Sequence, residues 1–178
     1  MIKLKDLLLE STAPDIFVPR RIEGRVDRLI KTYIRNGSNG DLKLTGLDLT
    51  KLPDILKDIT VGGSFDCSYN NLTSLENCPK TVGGNFGCGF NNLTSLEGSP
   101  SSVGGNFDCY NNNLTTLEGA PSSVGEDFSC NDNKLKSLDG VPKFVGGSFR
   151  CENNPGNFTE KDIRAVCDVK GDVFVWLN

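Results

Sequence analysis

The stretch Val103-Gly-Gly-Asn-Phe-Asp-Cys-Tyr-Asn-Asn-Asn-Leu-Thr-Thr-Leu-Glu-Gly-Ala-Pro-Ser-Ser123 recurs, with variations, before and after itself at a period of 21 residues. Read down the chain, its landmarks form columns. Val61, Val82, Val103, Val124 and Val145 open the units, and Gly62, Gly83, Gly104, Gly125 and Gly146 follow. Phe65, Phe86, Phe107, Phe128 and Phe149 stand two places before Cys67, Cys88, Cys109, Cys130 and Cys151. Then come Asn70, Asn91, Asn112, Asn133 and Asn154, two leucine columns beginning at Leu72 and Leu75, and a closing proline at Pro79, Pro100, Pro121 and Pro142. A fixed period of this length marks a solenoid, whose units cannot bury their apolar faces alone and stack on one another to do so. Phe-x-Cys reads as a strand with alternate side chains turned inward.

Both ends of the array read as caps, because the terminal apolar layers of a solenoid would otherwise face water. Ile22, Val26, Leu29, Ile30, Tyr33 and Ile34 fall at helical spacing, and Asn36-Gly37 supplies a helix stop. Asp41 to Thr60 reads as an atypical first unit, with Leu42 and Leu44 in the Phe and Cys places and Leu47 in the Asn place. Beyond Pro155-Gly156, Thr159 reads as an N-cap before a short amphipathic run ending at Cys167, and Asp172 to Leu177 as a final strand over the open layer. The organisation is therefore a leader over 1–10, a helical N-terminal cap over 11–40, repeats over 41–157 and an α/β C-terminal cap over 158–178. No run of 18 apolar residues is present.

Phe-x-Cys-x-x-Asn-x-Leu resembles the Leu-x-Leu-x-x-Asn-x-Leu core of the leucine-rich repeat family, in its short bacterial and phage form, with Phe and Cys standing for two leucines. The resemblance implies a parallel sheet of one short strand per repeat, a mostly irregular convex side, and a ladder of Asn70, Asn91, Asn112, Asn133 and Asn154 bonding the turning backbone. The Gly-Gly pair before the strand departs from that family. It reads as a tight turn or bulge that needs positive φ or close packing.

The cysteines offer no metal centre: the chain has no histidine and no Cys-x-x-Cys. They read as small buried hydrophobes, and their odd number, seven, fits a reducing compartment. With no histidine, no Ser/His or Cys/His pair and no unique phosphate loop, an enzyme is not expected, nor is a cofactor. Function is sought instead on the outward strand positions. Alternation, together with the position that follows the last alternating one, gives the candidate protein-binding residues Asp66, Tyr69, Phe90, Asn106, Asp108, Tyr110, Asp127, Asn131, Asp132 and Arg150, where aromatics beside carboxylates suit a basic protein segment. A further column, Glu76, Glu97, Glu118 and Asp139, stacks like charges and reads as structural, offset by turn N–H groups. One carboxylate per unit is too few for calcium, which takes about six to eight oxygens.

Residues 1–40 hold eight basic and five acidic side chains, a balance of +3, while 41–178 hold eleven and eighteen, a balance of −7. So acidic a body opposes nucleic acid as the partner of the repeats. The basic stripe of Arg20, Arg21, Arg25, Arg28, Lys31 and Arg35 on the cap helix is the one candidate for such contact. Met1 to Glu10 resembles the capsid-targeting leaders of T-even-type tailed phages, which are cut after Leu-x-Glu; here that implies cleavage between Glu10 and Ser11. The sequence thus leads to a non-enzymatic protein-binding scaffold, located in the cytoplasm, or the host cytoplasm if phage-encoded, with a packaged protein of the virion interior as the alternative.

Overall fold

A computed structural model describes residues 20–175. The leader over 1–10, the cleavage position at Glu10 and Ser11, and the Trp176-Leu177 end of the last strand lie outside the described residues.

Helix α1, Arg20–Arg35, opens the described chain. Val26, Ile30 and Tyr33 are buried on one face, whereas Leu29, placed on that face by its spacing, is 38% exposed at the flank. The helix stops as Asn36-Gly37 suggests. Gly37 takes φ +83°, its N–H donates to the Ile34 carbonyl, and the Ser38 N–H donates to the Tyr33 carbonyl, which is the paired closure of a glycine-ended helix. The Tyr33 hydroxyl then donates to the Ser38 carbonyl at 2.6 Å and accepts from the Gly62 N–H at 3.3 Å, tying the helix to the first repeats.

The repeats wind as a parallel solenoid. Strands β1 (Leu42–Lys43), β2 (Phe65–Asp66), β4 (Phe86–Gly87), β6 (Phe107–Asp108), β8 (Phe128–Ser129), β10 (Phe149–Arg150) and β12 (Val173–Phe174) form one seven-stranded sheet in that order, all parallel. Register is set by the Phe column: Phe65, Phe86, Phe107, Phe128 and Phe149 are paired in sequence, each 0% exposed. Their rings stack along the axis at centroid distances of 6.0, 4.9, 5.3 and 5.2 Å. Beneath them lie the ladder cysteines and both leucine columns, so the core is one continuous row from Val26 to Val169.

The far side is more regular than the sequence suggests. The residues ahead of Gly-Gly make a second parallel sheet, from β3 (Thr81–Val82), β5 (Ser102–Val103), β7 (Ser123–Val124), β9 (Phe144–Val145) and β11 (Asp168–Val169). The Gly-Gly corner between the two sheets explains why both can stack. None of Gly62, Gly83, Gly104, Gly125 or Gly146 has positive φ. Close packing is the reason for glycine there: a Cβ on Gly83 would strike the Gly62 carbonyl oxygen, and the same collision repeats for Gly104 on Gly83, Gly125 on Gly104 and Gly146 on Gly125.

The C-terminal cap is a disguised repeat. Val169-Lys-Gly-Asp-Val-Phe174 lies in register with Val145-Gly-Gly-Ser-Phe-Arg150, pairing Val169 with Val145 and Val173 with Phe149. Helix α2, Glu160–Val166, replaces the usual turn between the two sheets, started by a capping box between Thr159 and Asp162 and anchored by buried Ile163. Leu42 pairs with Phe65, two positions beyond the 21-residue period, and this longer first unit contains a short 3-10 turn, Asp54–Asp58, that buries Leu56.

Candidate functional site

The outer face of the seven-stranded sheet carries the candidate residues, and two polar ladders tie its neighbouring units together. Asn112 shows how the first one works. Its Oδ1 accepts from the Leu93 N–H at 2.9 Å, and its Nδ2 donates to the carbonyls of Cys88, Cys109 and Tyr110 at 3.0, 3.1 and 3.3 Å. Asn70, Asn91, Asn133 and Asn154 repeat the pattern one unit apart.

The second ladder is one that the alternation argument missed. Asp41, Ser64, Asn85, Asn106 and Asp127 each accept the backbone N–H of the equivalent residue in the next unit, at 2.9, 3.1, 3.0, 3.0 and 2.7 Å. Asn106 and Asp127 therefore hold the strand entrances together while bordering the face. A recurring column of short hydrogen-bond acceptors just ahead of Phe was the available signal.

Toward the C-terminus the candidates satisfy one another. Arg150 lies 4.0 Å over the Phe174 ring and 3.6 Å from Glu152. Asp132 accepts from Asn131 at 2.5 Å and from Asn153 at 2.7 Å. Ser129, between them and Asp108, is buried.

The N-terminal half of the face differs. Tyr69 and Phe90 are 54% and 38% exposed, and their rings stack at 4.3 Å. Tyr110 meets Phe90 edge-on at 5.4 Å. Tyr69 and Phe90 also occupy left-handed backbone, φ +57° and +52°, in a column otherwise filled by Asp48, Asn111, Asp132 and Asn153. Asn and Asp tolerate that region, whereas bulky aromatics are true outliers there. Neither the conformation nor its cost is visible in the periodicity.

Between these aromatics and the acidic residues the side-chain rows are interrupted. Gly87 stands between Asp66 and Asp108 in one row, and Gly89 stands between Ser68 and Tyr110 in the next. A Cβ on Gly89 would come within 3.1 Å of the Tyr110 ring, so that ring crosses the space glycine leaves. The Asp66 carboxylate leans over Gly87 and accepts the Ser68 N–H at 2.9 Å. Burial, with the neighbouring Asp127 and Asp66 charges, holds the Asp108 carboxyl above its usual range against a hydrogen bond from Ser129. Burial likewise raises the Tyr110 phenol, and Tyr69, Asp108 and Asp66 add to it, which puts all four groups in one electrostatic neighbourhood.

The remaining chemistry is quiet. All seven cysteines are free and buried; desolvation raises the thiol pKa of Cys67, Cys78, Cys88, Cys109 and Cys130, and that of Cys167 to about 11, so these six are not thiolates at neutral pH. Among the described residues no cluster has the makings of a metal centre. The column of Glu76, Glu97, Glu118 and Asp139 is exposed, and its carboxylates are not held by turn N–H groups: Asp139 takes the Ser137 hydroxyl at 2.7 Å, and the others project into solvent. Water makes this tolerable, since like charges 4 Å apart interact by only about 1 kcal/mol there.

In overall fold the chain is similar to a solved structure, the leucine-rich repeat domain of a Shigella effector, at a TM-score of 0.53 over 90% of this chain and 80% of that one. The fold is a leucine-rich repeat solenoid. Identity to that domain is 18%, so the likeness concerns the fold alone. No family model and no curated protein matches the sequence. The aromatic group sits in the N-terminal half of the seven-stranded sheet. No helix among the described residues is long and apolar enough to cross a membrane.

Proposed function

We propose that the protein is a non-enzymatic scaffold that binds another protein through the concave face of the repeat sheet, around Tyr69, Phe90 and Tyr110. The supporting observation is the exposed aromatic stack held in costly backbone. Tyr69 and Phe90 keep left-handed φ where Asn or Asp would serve the fold better, and both rings face solvent. Strain retained in a well-determined scaffold is a pointer to binding, and aromatic side chains are the usual anchors of an interface. The leucine-rich repeat fold supplies a suitable platform, because its sheet is pinned on both sides of each strand and loses little entropy on binding.

If the chain is phage-encoded, as its leader and repeat style suggest, the partner is a host factor, and lysate of infected cells is the material in which to capture it. Immobilised protein should retain a partner that the Tyr69→Ala/Phe90→Ala/Tyr110→Ala variant fails to retain, with little change in melting temperature. Equal retention by a folded triple variant would refute binding through this face.

A further inference from the structure

The concave aromatic group is polarised by charge. On one side of it stand Asp66 and Asp108, one unit either side of Gly87, so that a gap flanked by two carboxylates opens in the row. Strand spacing places those two residues about 10 Å apart at the backbone. Asp66 leans into the gap from one side, Tyr110 crosses the adjoining space above Gly89, and no basic side chain among the described residues is paired with Asp66 or Asp108. At the far end of the sheet the same row is filled differently, by Arg150 lying 4.0 Å over Phe174 and 3.6 Å from Glu152. The fold thus contains its own example of a guanidinium set between an aromatic ring and a carboxylate on this face.

We propose that the concave face docks an extended, arginine-bearing segment of the partner protein, with one guanidinium seated above Gly87 between Asp66 and Asp108 and against the Tyr110 ring, and the flanking residues lying on Tyr69 and Phe90. Charge complementarity selects the occupant. The body over 41–178 carries a balance of −7, and neither carboxylate beside the gap is paired with a basic side chain among the described residues. Arginine suits the gap better than lysine: its planar group stacks on an aromatic ring while its N–H fork serves two carboxylates at once. The glycines matter as much as the charges, since any side chain at 87 would meet Asp66 Oδ1 at 3.0 Å and Ser68 Oγ at 3.1 Å and fill the seat.

This rests on the scaffold reading above and can fail separately from it. The probe is a fluorescein-labelled octapeptide of alternating glycine and arginine, with its citrulline counterpart as the neutral isostere, titrated with the full chain at low ionic strength. Asp66→Asn/Asp108→Asn should weaken arginine-peptide binding by about tenfold, whereas Glu97→Gln/Glu118→Gln, which removes equal charge from another column, should change it less than about twofold. Gly87→Thr should weaken it without altering charge, and the citrulline peptide should bind no better than the arginine peptide binds the Asp66→Asn/Asp108→Asn variant. Equal losses in both charge variants, unchanged binding by a folded Gly87→Thr protein, or equal binding of the two peptides would each overturn the proposal. If Asp66→Asn/Asp108→Asn still captures the cellular partner that the triple aromatic variant loses, the arginine seat is wrong and the scaffold stands. Capture by the triple variant as well would remove both.

Discussion

At the scale of single residues, the period shows which positions repeat but hides which conformation they repeat. The column Asp48, Tyr69, Phe90, Asn111, Asp132 and Asn153 is left-handed throughout, and only its Asn and Asp members hint at this. Phe90 gives a clear test, because the usual ranking of alanine over glycine should reverse there. Phe90→Ala and Phe90→Gly remove the same stack on Tyr69, but alanine keeps the left-handed penalty and glycine does not. The glycine variant should be the more stable by roughly 1–2 kcal/mol in urea unfolding; alanine equal or better would mean that the conformation carries no strain. The candidate site was legible in part for the same reason. Alternation located Asp66, Asp108 and Tyr110 on the outer face, yet gave no sign that Asp132 and Arg150 are occupied by Asn131, Asn153, Glu152 and Phe174, since those pairings depend on side-chain reach across units.

Within a repeat unit, the Gly-Gly corner and the two polar ladders decide how closely neighbours approach. The two glycines are not equivalent. A Cβ on Gly104 would strike the carbonyl of Gly83, which is backbone and cannot move without shifting both sheets, whereas the nearest atom to one on Gly105 is the end of the Asn85 side chain. The unit that opens at Val124 already carries Glu126 in the second place. Gly104→Ala should therefore destabilise clearly more than Gly105→Ala, by several kcal/mol against about 1–2 kcal/mol on the scale of overpacking and backbone strain. Comparable urea midpoints for the two would contradict the packing account of the corner. The parallel Phe-Cys sheet was readable from spacing because a side chain with a period of two in a unit of fixed length leaves one choice of register. The second sheet was not, because Thr81-Val82 and its counterparts bury one side chain each, whereas every Phe-x-Cys buries two at alternate positions, and a single buried position shows no alternation.

Over the whole molecule, stacking makes stability a sum of neighbour contacts, and the caps determine whether the sum begins and ends favourably. Helix α1 closes one end through Val26, Ile30 and Tyr33; the other is closed by a seventh turn in which α2 stands in for the leucine-bearing segment. Its disguise is instructive: the inserted helix moves Val169 and Val173 off the 21-residue beat, so the chain reads as a break although the register with Val145 and Phe149 is kept. Ile163 is the part of α2 that is wholly buried, and Arg164 ties the helix to the final turn through the Val169 and Gly171 carbonyls at 2.7 and 2.9 Å. Ile163→Asp should undock this cap by placing a charge where no partner exists, a change of several kcal/mol. In a globular domain such damage would lower protection everywhere together. Here, native-state hydrogen exchange should show protection lost first at Phe149 and Cys151, then at Phe128 and Cys130, while Leu42, Leu44 and Phe65 keep theirs, because each layer depends on the one beside it. Uniform loss from Leu42 to Phe149 would show instead that the stack melts as one unit, and that the caps contribute to its total stability without directing where it opens.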